Sequence, residues 1–174
     1  MHQLILLRHA KAVRAEAELP DHDRPLTPEG RRAAAAMGAC MRGLGLIPDV
    51  ILVSSSRRTQ ETMEALEPWE ERPNIETLPG LYMASEAQIR DILRELPETV
   101  RSVLVIGHNP GMHEIAQLLA GKATGKPELD RLAENFPTAS LAEFVIATPW
   151  HRLGDAGARL KRFIQPADLP AAAR

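Results

Sequence analysis

Three short stretches of this chain bring together residue types that handle anionic groups, and each comes directly after an apolar run. Arg8-His9-Ala10 succeeds Leu4-Ile5-Leu6-Leu7, Ser54-Ser55-Ser56-Arg57-Arg58 succeeds Val50-Ile51-Leu52-Val53, and Gly107-His108-Asn109-Pro110 succeeds Val103-Leu104-Val105-Ile106. A neutral imidazole is a nucleophile or base near pH 7. A guanidinium is a permanently charged fork of donors matched to phosphate or carboxylate oxygens. Two histidines and the arginines beside them, placed together, would bind an oxyanion and attack it. Taken singly, Arg8 and His9 have an ordinary alternative as a surface pair at a strand end, and His108 as a turn residue before Asn-Pro. Arg57 and Arg58 are harder to explain away, because cations at a helix start oppose the helix dipole unless an anion lies near.

The elements that must position these residues can be read from the same sequence. Continuous apolar runs of four residues are what strands buried on both faces of a parallel sheet show. Helices are expected between them: one over residues 31–44, with Thr27 as N-cap, Pro28 at the first helical position and Gly45 as C-terminal cap. Others are expected over residues 57–66, 86–96 and 112–120, the last closed by Gly121. Residues 142–147 and 159–164 read as two later strands joined by a turn-rich segment, a hairpin at the sheet edge. The fold class is therefore α/β: a three-layer sandwich with a mostly parallel central sheet and helices on both faces. In such sheets ligands bind beyond the carboxyl ends of the strands, where all three stretches fall. Residues 15–24 carry four acids and read as an exposed loop.

Composition narrows the function classes. A chain of 174 residues is sized for a single domain, expected over residues 1–165, with residues 166–174 as a loosely held tail. A net charge of −2 gives no general attraction to nucleic acid or to an anionic membrane, so an anion site has to be a local concentration of arginine. Cys40 is the single cysteine, which leaves no disulfide and no cysteine-based metal site; its helical setting points to packing. The apolar run ended by Arg8 is too brief for a signal-peptide core or a membrane span, so a cytoplasmic location is expected. The abundance of Ala and Arg suggests a bacterial source with a G+C-rich genome. His2, His22, His113 and His151 lack a comparable strand-end setting and read as surface or packing residues.

Taken in order and spacing, four motifs resemble the histidine phosphatase superfamily, with its phosphoglycerate mutase-like fold, and most closely its small SixA-type phosphohistidine phosphatases. They are Leu-Leu-Arg-His-Ala at residues 6–10, Asp-x-x-Arg-Pro-Leu-Thr-x-x-Gly at 21–30, Val-Ser-x-x-x-Arg at 53–58 and Val-Ile-Gly-His-Asn-Pro at 105–110. With Phe136-Pro137-Thr138-Ala139-Ser140, the resemblance spans roughly three quarters of the chain. It implies His9 as nucleophile forming a transient phosphohistidine, with Arg8, Arg58 and His108 on the phosphoryl oxygens and Arg24 as a further loop contact. It also implies catalysis without metal or cofactor, on a phosphorylated protein carrying phosphohistidine or on a small phosphorylated substrate. The chemistry agrees, since phosphoryl transfer depends on positioning and on cationic donors that stabilise spreading negative charge. Arg8, Arg58 and a charged His108 are expected to keep His9 neutral, with its second ring nitrogen donating to a carbonyl or an acid.

Two departures bear on the substrate. Ala10 stands where the superfamily usually has Gly, a small change. Where many ester-cleaving members carry a Glu general acid, this chain reads Leu78-Pro79-Gly80-Leu81-Tyr82. An alkoxide leaving group needs a proton donor worth about 10²- to 10⁴-fold in rate. The imidazole of phosphohistidine can be protonated beforehand, its pKa lying near ~6.5. A phosphoramidate substrate is therefore favoured, unless an acid is borrowed from Asp21, Asp23 or Glu86, of which Asp21 holds the acidic place in the loop motif. A small-molecule phosphomonoesterase, a sugar-phosphate mutase and a phosphate- or phosphopeptide-binding module that no longer turns over are the alternatives.

Overall fold

The structure, a computed structural model, describes residues 1–121 and 126–170. A six-stranded sheet runs in the order β3-β2-β4-β1-β5-β6, built from β1 (His2–Arg8), β2 (Val50–Ser54), β3 (Asn74–Leu78), β4 (Ser102–Gly107), β5 (Leu141–Ile146) and β6 (Ala158–Ile164). The first four strands pair in parallel, while β5 pairs antiparallel with both β1 and β6. The expected edge hairpin is β5–β6.

Alternate side chains of each central strand serve opposite faces, as the pleat requires. Leu4, Leu6, Leu52, Val103 and Val105 pack under α3 (Glu86–Arg94), α4 (Gly111–Ala120) and α5 (Pro127–Glu134). Ile5, Leu7, Ile51, Val53, Leu104 and Ile106 pack under α1 (Pro28–Gly43) and α2 (Arg57–Ala65). This is the expected three-layer sandwich. Cys40 is half-buried against the second cluster, in keeping with a packing role.

The helix starts follow capping chemistry. The Thr27 hydroxyl accepts from the Gly30 N–H (2.9 Å), that of Ser56 from Thr59, and Ser85 forms a capping box with Gln88. Two elements depart from the sequence-based expectation by appearing at all. Strand β3, Asn-Ile-Glu-Thr-Leu, is exposed along most of its length at the sheet edge, so it needs no apolar run. Helix α5 buries only Leu132 and shows too short an apolar stripe to be seen.

The tail expectation needs correction over residues 166–169. Pro166–Asp168 form a turn of 3₁₀ helix, Asp168 pairs with Arg131, and Leu169 is buried in the cluster beneath α1. Residues 171–174 lie outside the described residues.

Candidate active site

Strand register brings the two strand-end histidines side by side. Arg8 of β1 lies opposite Gly107 of β4, so His9 and His108 are the first residues beyond a pair of neighbouring strands. The His9 N–H donates to the Gly107 carbonyl (3.1 Å), and the two imidazoles stand 5.3 Å apart between centroids. Strand β2 joins the other side of β4, with Val53 opposite Ile106. Ser54 therefore comes level with Gly107, within reach of the His108 ring, and α2 starts at the edge of the same crevice. The cleft so formed has a volume of about 290 Å³, and Arg8, His9, Asp21, Arg24, Arg58 and His108 all line it.

His9 is 8% exposed. Its Nδ1–H donates to the carbonyl of Ala10 (2.7 Å), because a carbonyl can only accept. In the neutral ring Nε2 is then unprotonated and carries the lone pair. Burial, partly countered by the Ala10 hydrogen bond and reinforced by Arg58, Arg8 and Arg24, lowers its pKa to about 4. The expectation of a neutral His9 with a fixed tautomer agrees with this geometry, although burial rather than the arginines is the leading cause.

His108 differs from expectation. Its Nδ1 accepts from Arg58 Nη2 (3.2 Å), which leaves its Nε2–H to donate to Ser54 Oγ (2.8 Å). Burial first, then His9 and Arg58, lowers its pKa to about 3. His108 is thus neutral in the free protein, and cannot be the charged neighbour of His9.

The arginines divide their work. Arg58 is 2% exposed and reaches into the cleft; its Nη1 donates to the Asp21 carbonyl (2.8 Å) and its Nη2 to Asp21 Oδ2 (3.2 Å). Arg8 Nη1 donates to the Phe136 carbonyl (3.1 Å). The Nε atoms of both are buried with no hydrogen-bond partner among the described residues, and an unmet buried donor costs about 1–3 kcal/mol. Arg24 lines the cleft while tied to Asp21 and to the Val13 carbonyl. Arg57 turns away to Glu61 (3.0 Å), a carboxylate that also holds Arg31 and the Leu26 N–H. The unusual pair of cations at this helix start is therefore one cleft residue and one structural residue.

Among the acids weighed from sequence, the structure brings Asp21 alone to the cleft. Glu86 pairs with Arg90 on α3, and Asp23 lies near His22. The hydroxyl of Tyr82 donates to Asp21 Oδ2. That bond, with Arg58 and Arg24 and against some desolvation, lowers the Asp21 pKa to about 2. A carboxyl ionised at neutral pH has no proton to give, so in the free protein Asp21 does not match the donor role considered for it.

Tyr82 was visible in the sequence only as the residue where a Glu was missing, yet its ring packs edge-on to His108 (5.4 Å) and His22 (4.8 Å). Ala139 carried no chemical signal of its own. It adopts φ 58°, and its N–H donates to the carbonyls of both Arg8 and His9 (3.1 Å each), fixing the end of β1. A positive φ in a residue with a Cβ is a strained conformation that persists where surrounding bonds demand it. Of the remaining histidines, His2 is buried against Trp150 and Glu98, His113 bonds the Leu132 carbonyl, and His151 is exposed. His22 is half-buried, bonded to Ser55 Oγ (2.9 Å) and packed on Tyr82, which is a packing role as well.

The chain is similar to known proteins in sequence and in fold. The sequence profile of the histidine phosphatase superfamily, branch 1, matches residues 4–82. An uncharacterized protein of Mycobacterium tuberculosis is 30% identical over 150 residues, covering 83% of this chain and 89% of that protein. A chloroplastic Arabidopsis thaliana protein, also uncharacterized, is 32% identical over 129 residues; the match spans 68% of this chain but 59% of the plant protein. Among solved structures, one assigned as the phosphohistidine phosphatase SixA of Nakamurella multipartitia superposes with a TM-score of 0.83 at 30% identity, over 95% of this chain and 96% of that one. The chain belongs to the histidine phosphatase superfamily, among its SixA-type members.

Proposed function

We propose that the protein is a metal-independent phosphatase in which Nε2 of His9 attacks a phosphoryl group and forms a transient phosphohistidine. Protein phosphohistidine is the proposed substrate. The observation that carries this reading is the Nδ1–H bond from His9 to the Ala10 carbonyl, which leaves Nε2 as a lone-pair nucleophile in a cleft walled by Arg8 and Arg58. Arg8, Arg58 and Arg24 receive the phosphoryl oxygens, while His108, whose Nδ1 accepts from Arg58 and whose Nε2–H goes to Ser54, orients Arg58 for them. Arg8 and Arg58 both line the cleft, and their two guanidinium groups supply the positive charge that many phosphoryl transfers draw from a metal ion.

The choice of substrate rests on the leaving group. Tyr82 and an ionised Asp21 stand where an ester-cleaving enzyme would need an acid. An imidazole leaving group protonated beforehand can depart without one. A cytoplasmic location and a phosphorylated protein partner belong to the same reading. Among the described residues, no helix is long and apolar enough to cross a membrane.

The test is to incubate wild type and His9→Ala with a phosphohistidine-bearing protein in excess chelator, following phosphate release and acid-labile phosphate on the enzyme. The expected result is release and label with wild type and neither with the variant. Tight phosphate binding by the wild type without release or label would instead identify a binding module.

A further inference from the structure

We propose that Asp21 is the acceptor that holds the proton on the leaving imidazole of the substrate, and thereby selects a phosphoramidate over a phosphoester. The inference rests on the phosphohistidine reading above and assigns Asp21 a role opposite to that of a general acid.

The free protein shows a carboxylate whose hydrogen-bonding capacity is fully used. Asp21 Oδ1 takes Nε (3.0 Å) and Nη2 (2.9 Å) of Arg24, while Oδ2 takes the Tyr82 hydroxyl and Nη2 of Arg58 (3.2 Å). That accounts for about four acceptor positions on two oxygens. Arg24 and Arg58 are also the donors assigned to the phosphoryl oxygens, so the carboxylate stands where part of the substrate's charge has to go. A phosphoryl group brings more charge and more oxygens than a carboxylate, and draws both guanidinium groups to itself. Asp21 keeps the Tyr82 hydroxyl and is left with open acceptor positions beside a second anion.

Two neighbouring anions repel unless a donor or a cation lies between them. A phosphoimidazolium supplies both, through the N–H of its distal ring nitrogen; an ester leaving group supplies neither. In the transfer, the His9 Nε2 lone pair forms the new N–P bond as the substrate's N–P bond breaks. The electron pair of the broken bond stays on the substrate's ring nitrogen. The distal nitrogen keeps its proton, so the leaving group departs as neutral imidazole and no proton moves at the reacting bond. What the step requires is a ring already protonated, and an ionised acceptor at that proton favours this state.

The surroundings keep Asp21 suited to the task. The charged and titratable groups around it are Arg24 from its own loop, Arg58 from α2, Arg8, His9 and Lys11 at and just beyond the end of β1, and His108 beyond β4, all lining the same cleft; Tyr82 after β3 bonds it, and His22 packs on Tyr82. Both strand-end histidines are neutral near pH 7, so they neither compete for the leaving proton nor donate one.

Asp21→Asn keeps the size and one acceptor oxygen but removes the charge. We would measure kcat and kcat/KM of wild type and variant on phosphoimidazole and on p-nitrophenyl phosphate across pH. The expected result is a fall of about tenfold or more in the phosphoimidazole-to-ester ratio of kcat/KM. The alkaline limb of kcat on phosphoimidazole should move to lower pH by about one unit, because the ring proton is held less firmly in the complex. Equal losses on both substrates with an unmoved limb would show that Asp21 merely positions Arg58, overturning the inference while the phosphohistidine reading stands. Wild type idle on phosphoimidazole but active on the ester would overturn both.

Discussion

At the scale of single residues, the site is governed by what burial does to ionisable groups. His9 and His108 lie among arginines and almost out of water, so the neutral forms are favoured and the two rings serve as a lone-pair donor and a hydrogen-bonded wall. Arg58 cannot shed its charge, and it spends three N–H bonds on Asp21 and His108 in a fixed fork. A lysine there keeps the charge but not the fork. We expect Arg58→Lys to lower kcat by about 10²- to 10³-fold, the cost of losing a preorganised donor to the developing charge. Single-turnover measurement of phosphoenzyme formation checks this, and a loss under tenfold would remove Arg58 from the transition-state contacts.

At the scale of elements, the His9 segment is clamped between two close approaches. On one side the Ala139 N–H bridges the carbonyls of Arg8 and His9. On the other, α1 comes so near the Lys11 backbone that a Cβ built on Gly30 would lie 2.1 Å from the Lys11 carbonyl oxygen. The motif glycine is thus a requirement of helix-to-loop packing, since the carbonyl cannot yield as a flexible side chain would. Gly30→Ala should cost about 1–3 kcal/mol by overpacking and lower Tm by roughly 3–9 °C. Turnover should fall with it, because Lys11 stands two residues from His9. Gly43→Ala, on the same helix with nothing within 4 Å of the added methyl, is the matched control and should leave Tm unchanged or slightly raised.

At the scale of the whole molecule, a crevice lined by buried titratable groups ties stability to pH. His9 and His108 titrate at about 4 and about 3 when folded, below the ordinary value of 6.5 to which both return on unfolding. Between those limits the unfolded chain binds protons that the native one does not, so stability rises with pH across the window and is lost as pH falls from about 6.5 toward 4. Asp21 acts lower: its folded pKa of about 2 against 3.8 unfolded gives a contribution present above 3.8 and lost below. Thermal melts from about pH 7 to about pH 5 should therefore show a falling Tm, with a shallower fall in His9→Gln. A flat wild-type profile would mean that these histidines are already protonated in the folded protein.

Much of the site was legible in the sequence because strand ends are local. An apolar run followed by Arg-His or Gly-His announces both the strand and the residue beyond its carboxyl end, and Thr27 announces a helix start through capping chemistry that needs no distant partner. The three-layer sandwich follows from the same runs, since strands apolar on both faces have to be covered on both. Register and long-range pairing are not local, and they decided the rest. Only the assembled sheet sets His9 beside His108, turns Arg57 to Glu61 while Arg58 enters the cleft, and bonds Tyr82 to Asp21 across 61 residues of chain. The neutral His9 was expected, but the charge states of His108 and Asp21 were beyond reach, because burial and long-range pairing are properties of the packed molecule. The same histidines and aspartate, read as a string, carry their ordinary pKa values until the fold removes water from around them and places arginines against them.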